Sequence, residues 1–222
     1  MSEDKGNFIN SDSLIRWVRY FLFAQIIVAV VSLASGAMEY QLLSAYENGI
    51  YTSHGQAVAD GEANDARQAI IAMVYLAVSI VSGIVILKWI YRANYNARQL
   101  GAKGMEFTPG WSIGWYFIPV ATLWKPYQAM KEIWKASSDP GNWKEAKVSA
   151  ILPWWWFFWL ATNFIGQAVF RISLSAKDIP ELQTANILYQ ISDVAAIFLA
   201  FITLLLVNGV YKSQAFHASN DS

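Results

Sequence analysis

The sequence predicts an all-α integral membrane protein, and three observations carry that class. Hydrophobic residues make up 55% of the 222 residues and charged residues only 14%, against about a quarter in ordinary soluble chains. The apolar residues gather in long blocks nearly free of charge, which is how a membrane span differs from a soluble helix. Between the second and third blocks runs a stretch from Pro109 to Pro140, dense in Trp, Tyr and Pro. It reads neither as a soluble core helix nor as a clean span. The predicted architecture is therefore four transmembrane helices, with a Trp-rich re-entrant or interfacial segment between the second and third.

In chain order, residues 1–13 form a polar N-terminal tail in which Ser11, Asp12 and Ser13 offer helix N-caps. A single membrane domain covers residues 14–212, and a polar tail, residues 213–222, follows it. The first span is expected at about 20–38, behind Arg16 and Arg19. Leu33-Ala34-Ser35-Gly36 resembles a weak signal-peptide cleavage site. The charge-free block exceeds the ~7–15 residues of a signal core, so a retained anchor is expected.

From Glu39 to Gln68 the chain is acidic, with Glu39, Glu47, Asp60, Glu62 and Asp65 against Arg67. Asn48-Gly49, Gly55 and Gly61 are expected to break it into turns. Asp65 and Gln68 have capping-box spacing and predict the start of a second helix with its span at about 69–91. From Arg92 to Lys147 eight basic residues meet four acidic ones. Cytoplasmic loops are enriched in Lys and Arg, so this loop is assigned inside, the acidic loop outside, and both termini to the cytoplasm.

Trp111 to Trp124 could be read as a further full span, but a helix of that length covers only ~21 Å, Pro119 interrupts it, and a span here would put Lys125 to Lys147 outside, against the charge rule. The segment 110–136 is therefore read as re-entrant or interfacial. The third span is expected at about 151–172, entered through Pro153-Trp154-Trp155-Trp156. Asp178 and Glu181 repeat the capping-box spacing before the last span, about 187–210. In this topology all eleven tryptophans fall at or near the cytoplasmic interface, Trp159 about two turns in. An indole prefers that level because its ring is apolar while its N–H seeks a polar partner.

Gly110-Trp111, Gly114-Trp115, Phe117, Pro119, Leu123-Trp124, Pro126-Tyr127-Gln128-Ala129-Met130, Glu132-Ile133-Trp134 and Ser138-Asp139-Pro140 resemble a group of bacterial multi-pass membrane proteins catalogued as domain of unknown function 4328. The resemblance is sharpest over these thirty residues and extends more diffusely from Phe21 to Tyr211. It implies a bacterial inner (cytoplasmic) membrane protein with several helices around this segment. It supplies no activity, cofactor or catalytic residue.

Chemistry-bearing patterns are few. There is no cysteine, and His54 and His217 stand far apart, so neither a thiolate nor a histidine metal site is expected. No catalytic constellation and no phosphate-binding glycine loop is present. Neither an enzyme, a cofactor nor a nucleic-acid partner is expected, the net charge being zero. Each span carries small residues four apart, such as Ser32 and Gly36, which suits close helix packing.

Two candidate surfaces remain. The first is the interfacial segment. Leu123, Tyr127, Met130 and Trp134 recur at helical spacing with Lys125, Lys131 and Lys135 largely opposite. Together with Trp111, Trp115 and Trp124 this face would engage anionic lipid or a partner protein; alternatively its apolar stripe packs on the protein's own helices. The second is a polar seam in the last two spans. Asn163, Gln167 and Arg171 share one face, and Asn186, Gln190 and Asp193 share another. An unpaired carboxylate at Asp193 would cost about 2.5–3.5 kcal/mol by insertion scales. Asp193 is therefore expected to hydrogen-bond Asn163 or Gln167, with Arg171 as counter-charge. Two function classes follow: a non-enzymatic interaction or scaffold module in contact with the bilayer, with a membrane partner or second copy, or a small channel or transporter-like subunit using the seam around Asp193.

Overall fold

The computed structural model describes residues 7–220, and among them every regular element is helical. Six α-helices follow one another: α1 (Asp12–Glu47), α2 (His54–Gln99), α3 (Pro109–Gly114), α4 (Lys125–Ser138), α5 (Ile151–Ser175) and α6 (Ile179–Asn220). Two single 3₁₀ turns, Trp115–Phe117 and Ala121–Leu123, connect α3 to α4. Helices α1, α2 and α6 are long and apolar enough to cross a membrane. Helix α5 has 25 residues, ~37 Å of rise, but is not among the helices long and apolar enough to cross a membrane. It carries four tryptophans and the polar Asn163, Gln167 and Arg171.

The long helices run well past the spans read from the sequence. Helix α1 ends where Asn48-Gly49 was expected to turn the chain, with Gly49 at φ +64°. Gly49 N donates to Tyr46 O (3.2 Å) and Ile50 N to Ala45 O (3.0 Å), the paired bonds of a Schellman end. The expected helix start at Asp65 is corrected: α2 begins at His54, and Gly55 and Gly61 lie inside it. Alanines through this stretch favour helix, and tertiary contact fixes it. The Tyr46 hydroxyl donates to Ala57 O (2.7 Å) and would stand 2.9 Å from a Cβ on Gly61, so Gly61 makes room for the ring. The second capping box does form. Asp178 Oδ1 accepts from Glu181 N (2.9 Å) and Glu181 Oε2 from Lys177 N (2.7 Å).

The chain divides into two compact units. The first comprises Val81–Phe157 with the flanking segments up to Leu22 and from Ile202 onward. In its core Ile15, Val18, Leu22, Ile90, Met130, Ile133, Leu152, Leu206 and Val207 are essentially inaccessible. The second comprises Phe23–Ile80 and Phe158–Phe201, and most of its large apolar side chains are exposed. Ile27, Ile70, Met73, Leu76, Phe164 and Phe170 are exposed, while Ser35, Asn64, Asn186 and Asp193 are buried. In α2 only 6% of the most apolar window is buried. Water would not select that arrangement; hydrocarbon would.

Charge separates along the same division. Thirteen of the sixteen Lys and Arg but only eight of the sixteen Asp and Glu belong to the first unit, giving +5 there and −5 in the second. Ten of the eleven tryptophans also belong to the first unit, and Trp159 follows two residues beyond its Phe157 boundary.

Candidate functional site

In the first unit the segment 110–136, expected to be re-entrant or interfacial, is a chain of short turns followed by the 14-residue α4, none long enough to cross a bilayer. Thr108 caps α3, its Oγ1 accepting from Trp111 N (3.2 Å), with Pro109 in the first turn. The rings of Trp111 and Trp115 meet 4.8 Å apart. A Cβ on Gly114 would lie 3.1 Å from the Trp111 ring. After the first 3₁₀ turn the chain makes a γ-turn: Ala121 N donates to Pro119 O (2.8 Å), and Val120 between them has φ +66° and ψ −54°. That conformation is rare and strained, most of all for a β-branched residue. At this bend Phe117 is 72% and Val120 67% exposed, with Trp111, Leu123 and Trp124 exposed nearby in sequence.

Behind the bend, Glu132 holds the loop that leads into it. Glu132 is 7% exposed. Oε2 accepts from Glu106 N (2.8 Å) and Oε1 from Phe107 N (3.0 Å). The carbonyls of the same loop are taken by α2: Asn94 Nδ2 donates to Phe107 O (2.9 Å), and Arg98 donates to Met105 O (3.1 Å) and Phe107 O (2.8 Å). Burial pushes the Glu132 carboxyl above the ordinary carboxylate range, opposed by the two backbone N–H groups and by Arg98. Gln214, also buried, ties α6 to α2 and α4 through Ala93 O (2.7 Å) and Ser137 Oγ (2.9 Å). Asn96 fastens the entry to α1, exchanging hydrogen bonds with the backbone of Ile9.

The predicted interface residues are placed unequally. On α4, Met130 and Ile133 are buried, so much of the apolar stripe packs on the protein itself. Trp134 turns to α6, where a Cβ on Gly209 would fall 2.7 Å from two of its ring carbons. Lys125 Nζ lies 3.5 Å from Glu106 and over the rings of Phe107 (5.2 Å) and Trp115 (5.7 Å). Lys135 donates to Lys144 O (2.5 Å). Lys131, Trp111 and Trp124 are exposed.

In the second unit a polar column joins α1, α2 and α6. Arg67 donates to Ser35 Oγ (2.9 Å) and Asn64 Oδ1 (2.5 Å). Asn64 Nδ2 donates to Glu39 Oε1 (3.3 Å), and Asn186 Nδ2 donates to Glu39 Oε2 (2.7 Å) and Gly36 O (3.0 Å). Gln190 donates to Asn186 Oδ1 (2.6 Å). Further along α6, Asp193 is 6% exposed, with Ser32 and Tyr75 as its polar neighbours.

Asn186, Gln190 and Asp193 thus share a face as predicted, but they meet α1 and α2. The expected pairing with α5 is corrected: Asn163, Gln167 and Arg171 are exposed, and Asn163 donates to Trp159 O on its own helix (2.7 Å). In this unit α5 meets α6 through stacked rings instead, Phe158 on Phe198 at 5.4 Å. Reading the sequence missed Glu39, Asn64 and Arg67 because they were assigned to a loop. Asn94, Asn96, Arg98 and Glu132 were missed because their partners are backbone groups of distant segments.

The fold and these sites define a helical protein with membrane-span-like helices and two separate buried polar networks. The profile of the domain of unknown function (DUF4328) matches residues 54–212, and the chain belongs to that family. No curated protein and no solved structure matches it.

Proposed function

We propose that the chain is a four-span bacterial inner-membrane protein without enzymatic activity, whose aromatic and basic cytoplasmic face engages anionic lipid. In this reading α5 is the fourth span, both termini and α4 are cytoplasmic, and residues 109–124 dip into the inner leaflet. The observation that carries it is the strained bend at Val120, which leaves Phe117 and Val120 largely exposed. Such strain costs about 1–3 kcal/mol. Burying Phe or Val contributes about 1.5–3 kcal/mol each, so a bilayer covering the bend outweighs the strain, and water does not. The +5 charge of the same unit supports an inward orientation and an anionic partner.

The test uses the cysteine-free chain in bilayers containing anionic lipid. Phe117→Cys and Lys144→Cys each carry a nitroxide, and collision with oxygen is compared with collision with a water-soluble nickel reagent. Preferential access of oxygen to position 117 and of nickel to 144 is expected. Equal access of nickel to both positions refutes the dip. Changing Lys131, Lys144 and Lys147 to Gln should weaken the preference for anionic lipid by up to about 3 kcal/mol, at ~1 per charge. The effect should fade in 1 M salt, where the Debye length is ~3 Å. A preference lost only when a particular protein is removed would instead favour a partner protein on this face.

The buried column of the second unit favours a second reading, a small channel or transporter-like subunit. Ionisable side chains inside membrane helices face functional pathways more often than lipid.

A further inference from the structure

Glu39, Asn64, Arg67, Asn186 and Gln190 of the second unit hydrogen-bond to one another. Helix α5 is different. Asn163, the middle residue of its 25, donates back to Trp159 O on its own helix. Gln167 and Arg171 have no hydrogen-bond or ion-pair partner among the described residues, and all three side chains are exposed. Residues two apart stand about 200° apart round an α-helix, so Gln167 faces away from Ile165 and from the buried Val169. With α5 as a span, Asn163 lies near mid-bilayer and Gln167 ~6 Å further along. Hydrocarbon offers an exposed amide no water to bond. A second observation falls on the same face. Gly166 is exposed, and a Cβ added to it would meet nothing within 4 Å. The protomer's own packing therefore gives no reason for a glycine there, although glycine weakens a helix interior.

We propose that this face of α5, formed by Asn163, Gly166, Gln167, Phe170 and Leu174, pairs with the same face of a second copy of the chain. Copies inserted the same way present α5 in parallel, so a two-fold axis along the membrane normal sets Asn163 against Asn163 and Gln167 against Gln167 at equal depth. An amide carries both donors and an acceptor, so each of these side chains is its own complement. A stripe of lysines or carboxylates would repel its copy instead. Gly166 lets the two backbones approach closely. Phe170, 64% exposed, and Leu174, 74% exposed, continue the contact along the helix. Arg171 stands about 80° round from Asn163 and ~12 Å along the axis, at the edge of the seam. Its long stem carries the charge to the headgroups, so the two guanidiniums of a pair do not oppose each other. The inference rests on α5 being a span and is independent of the lipid-facing bend.

The cysteine-free full chain is given a single cysteine by Phe170→Cys, Leu174→Cys or Phe164→Cys, placed in lipid vesicles and oxidised with copper phenanthroline. Disulfide-linked dimer is expected from positions 170 and 174 and little from position 164, which lies about 100° round from Asn163. In the Phe170→Cys background, cross-linking should fall by half at an about ten- to hundredfold lower lipid dilution once Asn163 and Gln167 are both changed to Leu. Gly166→Leu, which the open space beside Gly166 accommodates, should have the same effect. In nanodiscs holding a single copy, both sets of variants should keep the Tm of the unaltered chain, which separates a lost pair from a lost fold. A nitroxide at position 164 tests the span by itself: easier access for the nickel reagent than for oxygen refutes the span and the pairing with it. Easier access for oxygen, with no more dimer from 170 and 174 than from 164, overturns the pairing alone. Dimer that withstands both sets of variants overturns it equally. So does cross-linking in native membranes to a different protein with none between copies. Should the variants fail to fold, the cross-linking pattern of the three single-cysteine chains decides the matter.

Discussion

Replacing Glu132 by Gln changes one atom in size and little in shape, yet it should release the loop ahead of the aromatic bend. Each carboxylate oxygen accepts one backbone N–H, from Glu106 at 2.8 Å and Phe107 at 3.0 Å. Hydrogen bonds to a charged group contribute about 1.5–3 kcal/mol each. A Gln oxygen keeps one of them, but its NH₂ then faces a second donor and leaves a buried N–H unsatisfied. Because the carboxylate's own desolvation is recovered, a net loss of about 1–3 kcal/mol is expected for Glu132→Gln. Glu132→Ala, which abandons both donors, should lose about 2–4 kcal/mol. The local assay is amide hydrogen exchange over residues 103–108, which should quicken about ten- to a hundredfold in the Gln variant, at ~1.4 kcal/mol per factor of ten. The pH dependence has a definite sign. Burial is the largest influence and raises the carboxyl above 4.5, so the folded chain holds its proton more tightly than the unfolded one. Glu132's titration therefore adds most stability below pH 4.5, and that share declines as pH rises through the window up to the raised value. The Gln variant should lack that slope. Exchange within twofold of the unaltered chain would refute the account of Glu132 as the anchor of this loop.

Three further outcomes follow from the packing. Changing Asn163 and Gln167 together to Leu should alter stability by no more than about 0.5 kcal/mol, whereas Asp193→Leu, which strands the Ser32 and Tyr75 hydroxyls, should cost about 1–3 kcal/mol; thermal melting in nanodiscs separates them. Gly209→Ala should cost about 1–3 kcal/mol by overpacking against Trp134, and Trp134→Phe in the same background should recover part of the loss in Tm. Val120→Gly should stabilise the protein in detergent by about 1 kcal/mol, since relief of a strained φ exceeds the entropy cost of glycine. The same variant should bind anionic vesicles more weakly, and an unchanged binding ratio would count against the bend as a membrane contact.

The fold was legible where a single segment carries its own signal. Asn48-Gly49 ends α1 because a left-handed residue is needed there and glycine supplies it. Asp178 and Glu181 start α6 because their side chains reach backbone donors three or four residues away. The helix start at Asp65 went wrong for the opposite reason. Its capping-box spacing is real, but Tyr46 reaching Ala57 and Asn64 reaching Glu39 hold the preceding turns helical from another helix. Local propensity had no access to those contacts. The broken segment 109–124 was legible in outline, since Pro119 and its short length exclude a span. The γ-turn at Val120 was not, because nothing about valine announces a positive φ.

The sites divide along the same line. The face shared by Asn186, Gln190 and Asp193 follows from helical period alone, and the structure keeps it together. Which helix that face meets does not follow from period, and pairing it with the nearest polar stripe in sequence gave the wrong partner. A polar stripe next to another in sequence suggests a shared seam only if the two helices turn those faces inward. In α5 the ring of Phe158 stacks on Phe198 of α6, and the Asn163 amide finds its acceptor in Trp159 of its own helix. Ring stacking adds about 0.5–1.5 kcal/mol beyond the area it buries, while intramembrane amide bonds average only ~0.6 kcal/mol. The aromatic contact therefore decides the rotation of α5, and the polar face of α6 is left to α1 and α2. There Gly36 and Glu39 of α1 meet Asn186, and Asn64 of α2 meets Glu39, a fit whose Glu39 and Asn64 parts appear only once α1 and α2 are seen to extend past their expected ends.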